Sequence, residues 1–233
     1  MAIVLSLTVA CASSAGYTEI NADDRLGERL NKHSYNATDW VDQYSLKPLA
    51  QGYRFLLPDP LERAVARIFA NVREVRTAVN RALQGKLDQA AHDSRRVLAN
   101  STLGVLGLFE VAEPLGLEKG YPEDFGQTLA AWGIGSGGYV YLPMLGPSTV
   151  RDAPARVVDA LLNPINYLET SSTRHSLTAL DFVQRRAALF DNERLISGDR
   201  YQFIKDAYLQ RRDYLIRDGV LPEDDLDDFD SDF

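Results

Sequence analysis

Three glycines in "GIGSGG" have the spacing with which dinucleotide-binding proteins cradle a pyrophosphate. Gly133, Gly135 and Gly138 fit G-x-G-x-x-G. That pattern binds phosphate only where a strand precedes it and a helix N-terminus follows it. The residues that follow here are "YVYLPMLGP", and Pro143 and Pro147 prevent a regular helix. The sequence therefore predicts that this glycine pattern is not a nucleotide site.

The other groups that could do chemistry are too scattered to form a catalytic or metal site. Ser136 has Ile134 rather than glycine two residues before it, so this segment is not a nucleophile elbow. His33, His92 and His175 lie far apart and have no metal-ligand spacing. A lipid-acting hydrolase would need a nucleophile–base pair, which we do not find. We expect no catalytic activity, no metal and no cofactor.

The single cysteine occupies a position that favours covalent lipidation. Cys11 follows the apolar run "MAIVLSLTVA" and precedes the small residues "ASSAG", the layout of a bacterial lipoprotein signal. No Lys or Arg occurs before Arg25, which a start site placed too far downstream would explain. We predict a shortened signal over residues 1–10, lipidation of Cys11 and a flexible tether over residues 11–23. The alternative is a buried or incidental cysteine.

Negative charge is concentrated at the C-terminal end of the chain. The formal net charge is −8, and the final residues "PEDDLDDFDSDF" hold many acids and no base. We predict that residues 220–233 form an acidic, disordered tail. The rest of the chain is close to neutral and has no stripe dense in Lys and Arg, which argues against nucleic acid as a partner.

The body of the chain, residues 24–219, is predicted to be a single, mainly α domain. Pro60 suits the first turn of a helix, and Gly85 and Gly219 suit helix ends. Apolar residues recur at helical spacing, and we expect these stripes to pack in a core. The stripes are Val72, Val75, Val79 and Leu83; Leu87, Ala91, Ser94 and Leu98; Leu180, Val183, Ala187 and Phe190; and Tyr201, Ile204, Tyr208 and Leu215.

One long segment, Phe125 to Val150, contains no charged residue but many glycines and two prolines. It is long enough to cross a bilayer but cannot be one continuous helix. Irregular backbone at membrane depth persists only where protein or a wet cavity surrounds it. Trp132, Tyr139 and Tyr141 are aromatic types that favour bilayer interfaces. We expect a helical protein in or against lipid, with a Gly-rich non-helical loop. A soluble helical interaction module is the alternative.

Several motifs occur along the chain in an order that a known protein family shares. The strongest similarity is "GLFEVAEPLGLEKGYPEDFGQTLAAWGIGSGGYVYLPMLGPSTVRD", Gly107 to Asp152. Further similarity lies in "YSLKPLAQGYRFLLPDPLERAVARIFANVRE", Tyr44 to Glu74, and in "DAYLQRRDYLIRDG", Asp206 to Gly219. Together the motifs cover about Asp24 to Gly219, and their order resembles that of the MlaA (VacJ) family of outer-membrane lipoproteins. Gly138 departs from the family pattern, in which proline is usual at this position.

This resemblance implies a compact, ring-like helical domain in the outer membrane with a central amphipathic channel. It implies removal of mislocalised phospholipid from the outer leaflet and transfer to a periplasmic lipid carrier, alongside a trimeric porin. The protein would be lipid-anchored and face the periplasm. A membrane-associated structural lipoprotein without lipid transport is the alternative. The residues that we expect at the channel or its loop are Trp132, Gly133, Gly135, Gly137, Gly138, Tyr139, Tyr141, Pro143 and Arg151. For Arg151 the choice is between a lipid phosphate and an ordinary ion pair with Asp152.

Overall fold

The structure is a computed structural model that describes residues 25–193, 196 and 198–220. Cys11, the predicted signal and the predicted tether lie outside the described residues. So does the predicted acidic tail beyond Val220.

The body is mainly α-helical, as predicted. The α-helices are α1 (Arg25–Val41), α2 (Lys47–Leu56), α3 (Asp59–Leu83), α4 (Leu87–Thr102), α5 (Phe125–Ala131), α6 (Asp152–Leu161), α7 (Ser171–Ala188), α8 (Phe190–Glu193) and α9 (Arg200–Ile216). A π-helical turn, Asp42–Leu46, joins α1 to α2, and short 3₁₀ helices span Glu113–Leu115 and Pro164–Tyr167.

The ends of α3 follow the sequence signals closely. Pro58 is extended, and Asp59 and Pro60 then open the helix, where an acidic side chain and a proline ring both suit the first turn. The helix ends at Leu83, and Gly85 takes a φ of 81°. Glycine adopts this left-handed conformation without the steric cost of a Cβ atom. The predicted start at Pro60 and the predicted end at Gly85 are both confirmed.

The uncharged segment from Phe125 to Val150 is more regular than predicted. It begins with α5, whose N-terminus is capped by Asp124 through a bond from the Gln127 amide, 2.9 Å. Residues 132–138 are non-helical, as expected. An antiparallel hairpin then follows, β1 (Tyr139–Leu142) paired with β2 (Gly146–Thr149). The sequence predicted only a Gly-rich non-helical loop here, and the hairpin corrects that expectation.

The elements pack in a closed circuit. The hairpin contacts α1 through β1 and α6 through β2; α6 contacts α5, α5 contacts α3, α3 contacts α7, and α7 contacts α2. The π-helical turn returns the chain from α2 to α1. It also directs Asp42 toward Arg186, whose guanidinium donates to both carboxylate oxygens at 2.7 and 2.8 Å. The arrangement confirms the predicted ring-like domain.

Two of the predicted apolar stripes pack in the interior. Leu180, Val183, Ala187 and Phe190 of α7 and α8 contact Ala50 and Tyr53 of α2. Tyr201, Ile204 and Tyr208 of α9 contact a cluster of buried tyrosines, Tyr35, Tyr139 and Tyr141. Leu215 is also buried. These stripes are therefore core positions, as expected.

The stripe on α4 points the other way. Leu87 and Leu98 are 67% and 64% exposed, and Ala91 and Ser94 are exposed as well. The buried face of α4 instead carries Asp93, Arg96 and Asn100, with one alanine, Ala90. The prediction that this apolar stripe forms core was wrong. Helical spacing identifies a face of a helix but does not say whether that face meets protein or lipid.

Within the described residues, no helix combines the length and the apolar character needed to cross a bilayer.

Candidate functional site

The described body has its polarity reversed relative to an ordinary soluble domain. The largest fully buried side chains are polar or charged and include Arg96, Asn80, Asn100 and Asp93. Large apolar side chains lie outside instead, and Phe55 is 89% exposed. Extensive exposed apolar surface marks contact with a partner or with a membrane. This distribution fits a protein whose outer surface meets hydrocarbon and whose interior accommodates charge.

The polar interior is paired, as burial of charge requires. Arg96 forms ion pairs with Glu74 and with Glu110, at 2.5 and 3.2 Å. Arg81 donates to Asp93 at 2.8 Å and to the Tyr121 carbonyl at 2.9 Å. These contacts join α3 to α4 and to the segment after α4.

Sequence reasoning missed this network although it has a periodic signal. Polar residues recur at i, i+3 and i+7 on each helix, opposite the apolar stripes that drew attention. They are Glu74, Thr77 and Arg81 on α3 and Asp93, Arg96 and Asn100 on α4, all buried.

A second buried network fastens α5, α6 and α9 together. Arg212 donates to both oxygens of Asp124 at 2.6 and 2.8 Å and also pairs with Asp152 at 2.7 Å. The Tyr208 hydroxyl donates to the same Asp152 oxygen, Oδ2, at 3.0 Å. Burial alone would raise the pKa of Asp124, but the hydrogen bonds and charge of Arg212 outweigh it and lower the pKa. These ion pairs therefore hold α5, α6 and α9 together.

Beside the Arg212 network lies a cavity of about 460 Å³, which we call the arginine cavity. Helices α3, α6 and α7 supply most of its lining, with the 3₁₀ helix at Ile165 and the hairpin turn at Leu145. Its charged lining residues are Arg73, Arg76, Arg156, Arg185, Asp124, Asp159 and Asp181. Its apolar lining includes Phe69 and Val72. A cavity of this size suits a small ligand with both polar and apolar parts.

The carboxylates of the arginine cavity are already engaged. Asp181 accepts from Arg73 at 2.8 Å and from Arg185, and Asp124 belongs to the Arg212 network described above. Asp159 accepts from the Phe125 amide at 3.0 Å. Burial raises the pKa of Asp159, and the opposing effect of the nearby Arg76 charge is smaller. Burial, together with the charge of Arg185, lowers the pKa of Arg73.

Two arginines of the cavity retain hydrogen-bonding capacity. Arg156 donates to the carbonyl oxygens of Leu145 and Pro147 at 2.7 and 2.6 Å. It has no ion pair with any described carboxylate. Arg76 lies 3.7 Å from Asp159, and its buried Nε has no hydrogen-bond partner among the described residues. The cavity thus presents positive charge that its own acids do not fully satisfy.

The loop residues predicted from the sequence lie beside or within the β1–β2 hairpin, whose turn reaches the arginine cavity. They do not line the cavity themselves. The exposed residues among them are Trp132, Gly133, Gly135, Gly137, Gly138 and Pro143. Trp132 packs edge-on against Phe125 and donates from its indole nitrogen to the Leu83 carbonyl at 3.1 Å. Of the hairpin, Leu145 reaches the arginine cavity. The part played by the loop residues in a channel stays a prediction.

The remaining predicted residues are buried. Tyr139 and Tyr141 belong to the tyrosine cluster, and Asn31 of α1 holds β1 by donating to the Tyr139 carbonyl at 3.0 Å and accepting from the Tyr141 amide at 2.8 Å. Arg151 pairs with Asp152 at 2.7 Å, the ion-pair alternative raised from the sequence. Its guanidinium also donates to the Ile134 carbonyl at 3.3 Å, which ties the Gly-rich segment to α6.

Comparison with known proteins gives a consistent result. The family model described as MlaA lipoprotein matches residues 23–215. The chain is 32% identical over 246 residues to the intermembrane phospholipid transport system lipoprotein MlaA of Shigella flexneri, covering 99% of this chain and 97% of the relative. The protein of that name from Escherichia coli K12 matches with the same identity and coverage.

A solved structure is similar as well. It is described as "Structural basis for maintenance of bacterial outer membrane lipid asymmetry", and the similarity has a TM-score of 0.70 at 30% sequence identity. The matched region covers 81% of this chain and 97% of that chain. Sequence and fold therefore agree along most of the chain.

Proposed function

The chain belongs to the MlaA lipoprotein family, and from this premise we propose how it handles phospholipid. It is an outer-membrane-associated lipoprotein of phospholipid transport, acting in the maintenance of outer-membrane lipid asymmetry. The relatives of that name are called components of an intermembrane phospholipid transport system.

The reversed polarity of the body carries the mechanistic proposal. A phospholipid has a charged headgroup that is costly to bring into hydrocarbon and acyl tails that are costly to bring into water. The apolar exterior, with residues such as Phe55 and Leu98, would meet the tails and the surrounding bilayer. The arginine cavity would receive the headgroup. Both ends of the lipid would thus meet a suitable environment at once.

The direction of transport follows the family. The protein takes mislocalised phospholipid from the outer leaflet and passes it to a periplasmic lipid carrier, beside a trimeric porin. It faces the periplasm and is anchored through lipidated Cys11. Movement between leaflet, cavity and carrier is a shift of population toward the site with higher affinity, so no covalent step is needed. The protein acts without catalytic chemistry.

The test is outer-leaflet phospholipid in a deletion strain, measured with an amine label that does not cross the membrane. Outer-leaflet phospholipid is expected to rise on deletion. It is expected to return to normal when the wild-type gene is expressed from its own start codon. Cys11→Ala is expected not to restore it, whereas Ser13→Ala, which keeps the thiol, should. Unchanged labelling on deletion would instead favour a structural lipoprotein without lipid transport.

A further inference from the structure

We propose that the arginine cavity recognises the phosphodiester shared by glycerophospholipids, with Arg156 and Arg76 as its principal ligands. This inference rests on the proposed function, because it names the part of the substrate that the cavity reads. It extends that function to a specific chemical group and to two specific side chains.

Arg156 and Arg76 carry hydrogen-bond donors that the described residues do not use. A guanidinium carries five N–H donors, and Arg156 uses its Nη1 and Nη2 atoms on two main-chain carbonyls, at 2.7 and 2.6 Å. Those carbonyls fix its orientation without neutralising its charge. The buried Nε of Arg76 lies 3.7 Å from Asp159 Oδ1, which is beyond hydrogen-bond distance, and it has no hydrogen-bond partner among the described residues. A buried donor without a partner costs free energy, which an entering acceptor would recover.

The residues that line the cavity have a net positive charge. Four arginines, Arg73, Arg76, Arg156 and Arg185, face three aspartates, so the described lining carries one surplus positive charge. A phosphodiester carries one negative charge and planar pairs of oxygens, which suit guanidinium groups. Its entry would balance the lining without displacing an existing pair.

The cavity lining has no free group that would bind an ammonium ion. An ammonium group, as in an ethanolamine headgroup, needs a free carboxylate or an aromatic face, and Phe69, the aromatic residue of the lining, is itself only 4% exposed. Of the lining acids, Asp181 has two arginine partners and Asp124 is held by Arg212. Asp159 accepts from the Phe125 amide and lies close to Arg76. The cavity therefore recognises the phosphate and not the group esterified to it.

The experiment measures lipid binding to the full-length protein in dodecyl maltoside micelles by native mass spectrometry. The probes are phosphatidylglycerol, phosphatidylethanolamine and diacylglycerol of the same acyl length. Wild type is expected to bind both phospholipids within a few-fold of each other and diacylglycerol at least about tenfold more weakly, since a hydrogen bond to a charged group is worth about that factor. Inorganic phosphate, a free source of the same chemistry, is expected not to compete.

The variants are Arg156→Gln and Arg76→Gln, with Arg63→Gln as the matched control. Arg63 is exposed on α3, the helix that also carries Arg76. Each cavity variant is expected to weaken both phospholipids by about tenfold and to leave diacylglycerol unchanged, while the control binds as wild type does. Arg156→Gln also removes contacts to the hairpin, whereas Arg76→Gln leaves those contacts in place and removes the ion pair with Asp159. Unchanged diacylglycerol binding in both variants would show that phosphate recognition is lost and that the fold is kept.

Several outcomes would overturn the proposal. Wild-type binding in both cavity variants would show that the phosphate sits elsewhere. A loss confined to one headgroup would show that the cavity reads more than the phosphate. If inorganic phosphate competed as strongly as a phospholipid does, the ligand of the cavity would be a free anion. Failure of wild type to bind any phospholipid would instead count against the proposed function itself, which the labelling of deletion cells tests separately.

Discussion

Replacing Arg96 with methionine tests whether the polar interior stabilises the fold. The Arg96 side chain is only 1% exposed and holds Glu74, Glu110 and the Leu117 carbonyl together. Methionine fills part of the same volume, but it leaves the buried Glu74 carboxylate without a cation. Such an unpaired buried charge is far more costly than the pair was favourable.

The expected loss is large. Removing one partner of a buried ion pair typically costs about 3–5 kcal/mol of unfolding free energy. For a chain of this size, each kcal/mol shifts the unfolding midpoint by roughly 2–4 °C. We therefore expect Arg96→Met to unfold about 6–20 °C below wild type.

The assay is thermal unfolding followed by circular dichroism in detergent micelles at pH 7. Arg95→Met is the control, because Arg95 is exposed on the same helix and has no ion pair among the described residues. The double variant Arg96→Met/Glu74→Leu should recover part of the loss, since it removes both charges. Equal midpoints for Arg96→Met and Arg95→Met would refute the view that this interior depends on its ion pairs.

Three further substitutions address the surface, the pH dependence and the Gly-rich segment. Phe55→Asp is expected to weaken flotation of the unlipidated full chain with phospholipid vesicles by at least about tenfold, because a charge in hydrocarbon costs about 2.5–3.5 kcal/mol. Phe55→Leu, which keeps an apolar side chain at the same position, should have little effect. Asp124 has a lowered pKa, so its contribution to stability is present at neutral pH and is lost as pH falls below about 4 through the folded pKa. Asp124→Asn should therefore be less stable than wild type at pH 7, and urea unfolding should show the difference shrinking at acidic pH. Gly137→Ala should lower the unfolding midpoint, because Gly137 has a φ of 67° and an added Cβ would lie 2.9 Å from a neighbouring side-chain carbon, while Gly135→Ala, with open space around it, should not.

Elements with strong local signals could be predicted from the sequence. Pro60 and Gly85 mark the ends of α3, and the apolar stripes of α7 and α9 indicate their packed faces. The hairpin escaped prediction because its strands are only four residues long and Pro147 stands inside β2. Four residues is the lower limit of the run of four to eight that indicates a strand, and a proline inside such a run argues against a strand.

The direction in which each helix faces could not be predicted, because periodicity carries no sign. Apolar and polar stripes on α4 are equally regular, and only the surrounding medium decides which one is buried. Water would select Leu87 and Leu98 for the interior, whereas the structure buries Arg96 and Asn100. The arginine cavity escaped prediction for a different reason. Arg73, Arg156 and Arg185 come from three helices that lie far apart in the sequence, and the closed circuit of elements brings them together.

The reversed polarity and the arginine cavity are two consequences of one physical requirement. Bringing a phosphodiester into hydrocarbon costs many kcal/mol, and each 1.4 kcal/mol removed from a barrier speeds passage about tenfold. Oriented guanidinium groups inside an apolar shell replace the water that the phosphate gives up, while the tails need never leave an apolar environment. Such a route lowers the barrier equally in both directions. The direction of transport must therefore come from the affinity of what receives the lipid, and a cavity with too many unpaired arginines would trap its cargo. The partial neutralisation by Asp124, Asp159 and Asp181 keeps the surplus at a single charge, which suits release as well as capture.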